Sequence, residues 1–450
     1  MYLDKTTLIK KGYYLDSSGN PVPSDGDPAT AFFYQRMRVQ TDLIVTPSLK
    51  LITRFDVMGR VWGANRSTAD TPPDTQSAGT RYDNENISFD WAYVEYVSPI
   101  GMFDVGFMDD GGWGTIFGDT SIPRGVISWV AQQGPWTGFL QILKLNERNK
   151  NYANPSATTV NDSDTDKYQG GFVFEQKGAQ AGLLAIYYRE AGLRPTVSPG
   201  PVPPAGTDIG VTGNIYVLEP YAIVNIGPAK IQAEIQYAWG NIKADTPPPY
   251  LFGHDLKIDN WAAWVDGTVN VNMFYFGGSI AYVAGNDWNK FNSDGKIRGG
   301  FLTGGMDWNP TLLLFNNERY RWAGAIPGNN ITSSQMNVLN NQFGLYDTGM
   351  YNAWFWQGRV GVRPTDKLDI QASVSYAIAD SRTLPNGLAD AVSDVYGTEI
   401  DLMGTYKITD NLSYMLGIGY LFTGDYFKGF DSAADVRNDY IMLHKLTLTF

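Results

Sequence analysis

The sequence predicts an all-β protein, folded as one transmembrane antiparallel β-barrel of about eighteen strands, with sixteen as the alternative. Three observations predict this fold: segments in which apolar and polar residues alternate, very short turns that join these segments in pairs, and long polar connections between the pairs. The whole chain, residues 1–450, is therefore expected to form a single domain.

The alternating segments each have one apolar face and one polar face. The even positions of Leu368–Ile378 and Leu412–Phe422 are apolar, and in Lys230–Trp239 the odd positions are. Successive side chains of a strand point to opposite faces of the sheet, and a tilted strand of about 9–11 residues crosses a bilayer. Apolar faces of this length, with aromatic residues near their ends, favour a membrane barrel over a soluble sandwich or propeller.

Eight hairpins follow from the short turns. The turns lie at residues 46–48, 99–101, 134–135, 177–179, 227–228, 270–273, 364–366 and 409–411. The connections between hairpins are longer and rich in Pro, Gly, Asn and Asp. The terminal segments Thr6–Leu15 and Tyr440–Phe450 are expected to supply two more strands, which pair and close the barrel so that no edge remains.

Composition agrees with this fold and excludes some functions. The chain has 27 Tyr, 13 Trp and 49 Gly, a mixture typical of β-structure with tight turns and interfacial aromatic residues. Its net charge of −12 argues against nonspecific binding to nucleic acid. No apolar run approaches the length of a transmembrane helix, and the N-terminus lacks the apolar core of a signal peptide, so we expect either a cytosolic chain or a mature form.

Catalysis is not expected. The two histidines, His254 and His444, are far apart in sequence, there is no cysteine, and no motif for a nucleophile, a zinc site or a phosphate-binding loop is present. His254 is the one candidate for a catalytic base. We therefore expect neither an enzyme nor a resident metal or cofactor.

The C-terminal segment and the turns resemble those of Gram-negative outer-membrane porins. Phe450, with Leu448, Leu446 and Met442 on the same face, looks like the terminal strand that the barrel-assembly machinery recognises, although His444 departs from that pattern. The turns "VTPSLKL", "RPTDKLD" and "KITDNLS" look like periplasmic turns of this family.

This resemblance implies a protein of the bacterial outer membrane, with short periplasmic turns and long extracellular loops. Its partners would be the lipid bilayer, the barrel-assembly machinery, and small polar solutes or ions. The strand number is nearer to substrate-selective and alginate-export-type barrels than to general porins. The family contains both homotrimers and monomers, so the oligomeric state stays open.

Charged residues fall on the face of the first hairpin opposite its apolar residues. Registering the hairpin about Thr46–Ser48 places Arg36 opposite Arg60 and Asp42 opposite Arg54, with Arg38 on the same face. Arg359 also falls on an inward face. Acidic residues lie on or near the same faces, namely Asp56, Asp104, Glu234, Asp369 and Asp401. A plain water-wetted wall is one interpretation of these arginines.

The sharper interpretation is that an acidic loop folds in against these arginines. In porins the third long loop enters the lumen, and here that loop is residues 109–123, with Asp109, Asp110 and Asp119. Its glycines would permit a tight path. Arginines facing carboxylates would create a transverse field at a constriction. The long loop at 286–349 is expected to cap or partly plug the channel, or to contain an extra hairpin formed by 299–308 and 311–315.

The function predicted from these features is a passive diffusion channel for small polar or charged solutes, with selectivity set by the charges of the lumen. The first alternative is a barrel scaffold whose loops or lumen bind a partner protein. The second is a dedicated polysaccharide exporter, which the mixture of basic and acidic lining residues disfavours.

Overall fold

Nearly all of the regular structure in this protein is β-strand, and most of it belongs to one large antiparallel sheet. The computed structural model describes residues 2–5, 9–15, 21–25, 29–62, 87–110, 112–119, 122–147, 164–191, 211–244, 255–305, 307–316, 349–383 and 390–450.

The strands are, in chain order, β1 Tyr2–Lys5, β2 Ile9–Leu15, β3 Pro21–Asp25, β4 Ala29–Phe32, β5 Tyr34–Thr46, β6 Leu49–Val61, β7 Ile87–Ser98, β8 Gly101–Asp109, β9 Pro123–Gln133, β10 Trp136–Asn146, β11 Thr165–Gln176, β12 Ala179–Glu190, β13 Val211–Ile226, β14 Ala229–Ala244, β15 Leu256–Val271, β16 Phe274–Val283, β17 Lys296–Ile297, β18 Ala353–Thr365, β19 Leu368–Ala379, β20 Val395–Lys407, β21 Leu412–Thr423, β22 Asp435–Val436 and β23 Asp439–Leu448. One short helix, α1, covers Trp288–Asp294, and a 3-10 turn covers Asp425–Lys428.

The large sheet closes into a barrel because β1 pairs with both ends of the strand series. Leu3 lies opposite Met442 of β23 and opposite Ala31 of β4. Within the described residues the barrel has eighteen strands, since β4 and β5 form one strand interrupted at Phe33 and β17 is a two-residue parallel addition to β15. The prediction of about eighteen strands is confirmed, rather than the alternative of sixteen.

All eight predicted hairpins are present. They pair β5 with β6, β7 with β8, β9 with β10, β11 with β12, β13 with β14, β15 with β16, β18 with β19 and β20 with β21. The turn residues Gly134, Gly178 and Gly227 have positive φ, as does Asn272. Glycine adopts this region without steric cost and Asn tolerates it better than most residues, which is why these residues mark the turns.

The predicted identity of the N-terminal barrel strand is wrong. The barrel uses Tyr2–Lys5, whereas Ile9–Leu15 joins β3 and β22 in a separate sheet of three strands. The sequence explains the difference, because Lys10 and Lys11 are adjacent and neither face of that segment is continuously apolar. The predicted extra hairpin is also absent, since the described parts of 299–308 and 311–315 contain bends and turns but no strand.

The outer surface of the barrel is apolar. Large side chains are exposed on the outward face of strand after strand, including Phe107 on β8, Ile142 on β10, Val265 on β15, Phe276 on β16 and Val374 on β19. In water such a continuous apolar surface would be costly, whereas in a bilayer it is the expected exterior of a barrel.

Aromatic rings form a ladder on the same outer surface. Across β11–β15 the rings of Tyr168, Tyr187, Tyr216, Trp239, Tyr237 and Trp261 stack in series, with centroids 4.0 to 5.9 Å apart. Tyr and Trp concentrate where a membrane meets water, because one end of each ring is apolar and the other is polar. The ladder therefore marks one boundary of the apolar band. Among the described residues no helix is long and apolar enough to cross a membrane.

Candidate functional site: the lumen of the barrel

A network of paired charges covers the inner wall formed by β5, β6 and β7. The guanidinium of Arg38 donates to Asp56 at 2.7 Å and lies 3.2 Å from Asp90. Arg54 donates to Asp90 at 2.5 Å, and its guanidinium lies 3.4 Å from the ring centre of Trp91. Arg38 and Arg54 therefore each have a carboxylate of this wall within ion-pairing distance.

The predicted register of the first hairpin is wrong by two residues. Asp42 lies opposite Ile52 rather than Arg54, and Arg38 lies opposite Asp56. Irregularities in pairing at Ile44/Thr46 and at Gln35/Met37 shift the two strands, so Arg60 lies opposite Gln35 instead of Arg36. Bulges of this kind leave no mark in an alternating pattern.

The corrected register changes the electrostatics of the wall. Arg36 does not face a second arginine; its guanidinium lies 3.8 Å from Asp56. The structure describes the backbone of Arg60, and the predicted clash of like charges with Arg36 has no basis in the observed pairing. The arginines of this wall whose side chains are described, Arg36, Arg38 and Arg54, are thus paired with its carboxylates.

Asp104 lies on the same side of the lumen, nearer the short turns. It faces Glu95 across the β7–β8 pair, and Lys50 donates to Glu95 at 2.7 Å. The Oδ1 atom of Asp104 is buried without a hydrogen-bond partner in the described part of the chain. Two carboxylates share one lysine here, so this end of the wall is acidic.

The third long loop leaves β8 at Asp109 and runs to the opposite wall. Both the backbone N–H and the hydroxyl of Thr115 donate to one oxygen of Glu234 on β14, each at 2.7 Å. The indole N–H of Trp113 donates to the backbone carbonyl of Glu219 on β13 at 3.0 Å. These inward contacts place the loop inside the barrel.

Two glycines let this loop approach Glu234. Gly114 has a φ of 68°, and a Cβ atom there would lie 2.6 Å from the Glu234 carboxylate. A Cβ atom on Gly118 would lie only 1.8 Å from the same carboxylate. A side chain at either position would displace the Glu234 carboxylate from its present place against the loop.

One loop carboxylate meets the predicted wall of arginines, and a second meets cations that the sequence analysis did not name. Asp109 lies 3.5 Å from Arg54, which is on the predicted wall. Asp110 instead lies 3.1 Å from Lys167 on β11 and 4.0 Å from Arg124 on β9. The backbone carbonyl of Asp119 accepts from Asp307 at 3.3 Å.

Sequence reasoning missed Lys167 and Arg124. Both are buried on inward faces, and the alternation of β9 and β11 contains the signal that points them inward. Their pairing with Asp110 was not visible, because it depends on the path of the loop. Arg36 pairs with Asp56, and Arg38 pairs with Asp56 and Asp90, whereas Asp110 pairs with Lys167.

Part of the long loop after β16 also enters the barrel. The buried carboxylate of Glu399 on β20 accepts three consecutive backbone N–H groups, from Leu312 at 3.0 Å, Leu313 at 2.7 Å and Leu314 at 2.8 Å. We call this arrangement the Glu399 clasp. It fixes an apolar loop segment against the wall of β18–β21 through its main chain.

The two inward loop segments contact each other. The N–H of Gly305 donates to the carbonyl of Phe117 at 2.6 Å, and the rings of Phe117 and Trp308 lie 5.1 Å apart, edge to face. Phe117 also stacks on Trp264 of β15 at 6.0 Å. An apolar cluster built from both loops and the wall therefore fills one side of the lumen.

Arg359 lies on the filled side and is fully paired. Its guanidinium donates to both oxygens of Asp266 at 2.6 and 2.9 Å and also donates to the hydroxyl of Thr268. Such a two-point ion pair with little exposure holds the side chain in place. Arg359 thus braces β15 against β18 across β16.

The C-terminal strand presents its predicted apolar face outward. Met442, Leu446 and Leu448 are exposed on that face, and Phe450 is 87% exposed. His444 lies on the same face, with its ring 5.8 Å from that of Tyr414. His254 lies outside the described residues. In the described ranges no group of three or more His, Asp or Glu residues could hold a metal ion.

No protein-family model matches the chain, and no curated protein matches it in sequence. Solved structures match it along almost its whole length. OccK9 (OpdG) of Pseudomonas aeruginosa is 12% identical with a TM-score of 0.50, and the match covers 100% of this chain and 96% of that one.

Two other solved structures match over a similar length. OccK11 (OpdR) of the same organism is 12% identical with a TM-score of 0.48, covering 100% and 94% of the two chains. OmpT, described as expressed in the outer membrane of Vibrio cholerae, is 11% identical with a TM-score of 0.39, covering 100% and 95%. The similarity to OccK9 concerns the fold, an antiparallel β-barrel.

Proposed function

We propose that this chain is a diffusion channel for small polar or charged solutes in the outer membrane of a Gram-negative bacterium. One observation carries the proposal: a closed barrel with an apolar exterior has an inner wall of partly exposed ion pairs. An apolar outside needs lipid, and charged groups inside need water. A water-filled path across a membrane satisfies both requirements.

The path proposed for solutes runs along the wall of β5–β7. The side chains of Arg36 and Arg38 are 46% and 39% exposed, whereas Glu234 and Glu399 on the opposite side are buried under loop segments. The passage is therefore off-centre. Residues 109–123 are proposed to narrow it, and the long loop at 286–349 is proposed to fill part of the lumen.

Selectivity is proposed to come from the charges beside this path. Arg54 on the wall and Asp109 at the start of the third loop lie 3.5 Å apart, with Arg38 and Asp90 beside them. Opposite charges arranged across a narrow aqueous passage orient ions and dipolar solutes. Arg359 is proposed as a structural member of the lining, because Asp266 already occupies its guanidinium.

Planar bilayer recording tests this proposal. The purified full-length chain, inserted from detergent, is expected to give discrete conductance steps in potassium chloride. Liposomes containing the protein are expected to swell in small neutral solutes. If inserted, correctly folded protein gives neither steps nor swelling, the chain is not a diffusion channel.

One observation favours a barrel scaffold as the second candidate. The rings of Phe117, Trp308 and Phe355 extend the apolar cluster from the third loop to β18. A lumen filled this far could anchor loops that bind a partner protein. The recording separates the two candidates, since a scaffold with a filled lumen gives no conductance steps.

A polysaccharide exporter has less support. Such a channel would need a continuous row of cations for an anionic polymer. Here each lumen arginine with a described side chain lies beside a carboxylate: Arg36 and Arg38 beside Asp56, Arg54 beside Asp90, and Arg359 beside Asp266.

A further inference from the structure

We propose that a second, separate feature of the lumen, a cavity behind the third loop, binds a neutral polyhydroxylated ring of monosaccharide size. This inference rests on the proposed channel function, because it names a class of solute that the channel would hold in transit. We call the feature the loop-three cavity. Inward residues of β9–β14 line it on the barrel side, and Asp110, Gly112, Trp113, Gly118 and residues 301–303 line it on the loop side.

The loop-three cavity is small and partly enclosed. Its volume is about 280 Å³. At ~30 Å³ per water molecule this is the share of roughly nine waters, which suits one small ring and excludes an extended chain. Binding pockets for small molecules usually begin near 300 Å³, so the cavity is at the lower end of the useful range.

The two cations that line the cavity already face a carboxylate. Arg124 and Lys167 are the basic residues of the lining, and Asp110 and Glu219 are its acidic residues. Asp110 already lies 3.1 Å from Lys167 and 4.0 Å from Arg124. An anionic ligand would compete with Asp110 for both cations, and a cationic ligand would approach Lys167 and Arg124 against repulsion. A ligand without net charge meets neither cost.

The cavity presents uncharged hydrogen-bonding groups as well. The Nε2 atom of Gln169 donates to the backbone carbonyl of Asp110 at 3.1 Å, and its amide also bonds to Gln141. Gln169 is only 8% exposed, and its Oε1 atom is buried without a partner in the described part of the chain. A buried acceptor without a partner is costly. A turn of the Gln169 amide toward the cavity would let a ligand hydroxyl satisfy this oxygen, which has almost no accessible surface in this structure.

Hydroxyl groups suit this lining better than charged groups do. Each hydroxyl both donates and accepts, and the lining offers acceptors at Gln169 and Glu219 and donors at Gln236 and Lys167. A ring that carries several hydroxyl groups could engage both kinds at once. A purely apolar ligand would leave these groups unpaired.

Aromatic residues form the remaining part of the lining. Trp113 and Phe139 lie 5.7 Å apart, with their ring planes at 52°, and Tyr188 lines the same cavity. Aromatic rings pack well against the C–H faces of a saturated ring and cost little conformational entropy when they do so. Apolar faces next to amide and charged groups match a ring that has apolar faces and a hydroxylated edge.

The test measures equilibrium binding to the full-length chain folded in detergent. Isothermal titration calorimetry is run with glucose and myo-inositol as neutral polyols, benzoate as an anionic ring, and 2-phenylethylamine as a cationic ring. We expect the polyols to bind at least about tenfold more tightly than the two charged rings. We also expect Gln169→Leu to weaken polyol binding about tenfold, the effect of losing one buried hydrogen bond.

A matched variant controls for the loss of an amide from the lumen wall. Gln371→Leu removes the same group from β19, on the other side of the barrel, where it accepts from Tyr275. It is expected to leave polyol binding unchanged. Both variants must retain the circular dichroism of the parent barrel before their affinities are compared.

Each outcome decides the inference. Binding of benzoate or of 2-phenylethylamine that is as tight as or tighter than that of the polyols overturns it, and so does equal polyol binding by Gln169→Leu and the parent. No binding of any probe to protein that conducts in bilayers overturns the inference and leaves the channel intact. Polyol binding that Gln169→Leu weakens, in protein that gives no conductance, supports the cavity and overturns the channel.

Discussion

The two sides of the lumen are built in different ways. The wall of β5–β7 carries charged side chains that pair with one another and remain partly exposed. The wall of β13–β20 also carries carboxylates, but Glu234 and Glu399 are buried because they accept backbone N–H groups of loop segments. Carboxylate residues therefore line the proposed passage on one side of the lumen, and on the other side they hold loop segments against the wall.

The two walls differ in the bonding partners of their carboxylates. Asp56 and Asp90 lie beside arginines of neighbouring strands, so their charges are balanced within the wall. Glu234 and Glu399 have no such described ion pair, and their oxygens bond to main-chain donors of the loops. A carboxylate that accepts loop N–H groups therefore marks the filled side, whereas ion pairs within the wall occur on both sides, as Arg359 and Asp266 show.

The largest effect, on assembly of the barrel, is expected from a change just after β23, the strand that joins the two sides. β23 pairs with β21 of the filled side and with β1, which leads to β4 and β5 of the charged side. Deleting Phe450, which is 87% exposed on the outer face, should abolish most assembly, because we propose that the assembly machinery recognises this end before the barrel closes. The measurement is the amount of heat-modifiable protein in the outer membrane.

Translation and export should be unaffected by this deletion, so the chain should accumulate outside the inner membrane in unfolded form. His444→Phe serves as the matched control, since it changes the same outward face without shortening the strand. Normal yield of the truncated protein in the outer membrane would show that the terminal residue is not a recognition signal.

The next effect concerns the Glu399 clasp. Glu399→Leu would leave three backbone N–H groups without their acceptor, at about 1–3 kcal/mol each if they stay buried. Release of the segment is cheaper, so the filled side should open and single-channel conductance should rise and become noisier. Single-channel recording provides the measurement.

Two more conservative variants are expected to raise the conductance less than Glu399→Leu does. Glu399→Gln keeps one oxygen for two of the three donors and should have an intermediate effect. Glu234→Gln keeps an oxygen for Thr115 and should have the least effect. Parent-like conductance in Glu399→Leu would mean that the apolar packing of the segment holds it without the clasp.

A smaller effect is expected on ion selectivity. Replacing Arg36 and Arg38 by Gln leaves Asp56 and Asp90 with fewer cations beside the proposed path, so cation preference should rise. Because salt screens exposed charges over about 8–10 Å, the change should be largest at low salt. The measurement is the reversal potential across a potassium chloride gradient. Asp109→Asn should move it the opposite way.

The control for this variant is a change of equal charge outside the lumen. Lys290→Gln with Lys428→Gln removes two positive charges, one in α1 and one in the 3-10 turn, where they pair with Asp287 and Asp425. That pair of substitutions should leave the reversal potential nearly unchanged. Equal shifts in both double variants would place selectivity outside the β5–β7 wall.

The smallest effect is expected where the long loop leaves the barrel. Hydrogen bonds from the Arg298 side chain and the Lys296 backbone lower the pKa of Asp294 to about 2. Because its pKa is lowered in the folded state, ionised Asp294 stabilises that state at neutral pH. This stabilisation is lost as pH falls through about 2. Asp294→Asn should therefore quicken hydrogen exchange at α1 at pH 7 and match the parent near pH 2.

Conductance should not change in Asp294→Asn, because the pair lies near the end of α1 and the Glu399 clasp is elsewhere in the loop. An altered conductance at pH 7 would show that the filled side depends on this exposed ion pair.

The barrel itself could be predicted from the sequence because its signals are local. Alternation over Leu368–Ile378 and turn residues such as Gly227–Pro228 each fix one strand or one hairpin without reference to the rest. The prediction failed where two irregularities shifted the register of β5 and β6, so that Arg54 meets Asp90 rather than Asp42.

The loop contacts could be predicted only in part. The acidic residues and glycines of the third loop were visible, and so was the inward face of Glu234 on β14. Their meeting was not visible, because Thr115 and Glu234 are brought together by the closure of the barrel and not by any pattern along the chain. For the same reason the Glu399 clasp has no counterpart in the sequence, where Leu312–Leu314 resemble an ordinary apolar strand.

The Glu399 clasp also has a consequence for evolution. Its acceptor recognises backbone amides, which every residue except proline provides, and so it does not select the side chains at 312–314. Those positions are buried in the apolar cluster, so they can exchange one apolar residue for another while the segment stays fastened. Proteins that share this clasp could therefore change the shape of the segment inside the lumen by single substitutions, while Glu399 continues to bind its backbone.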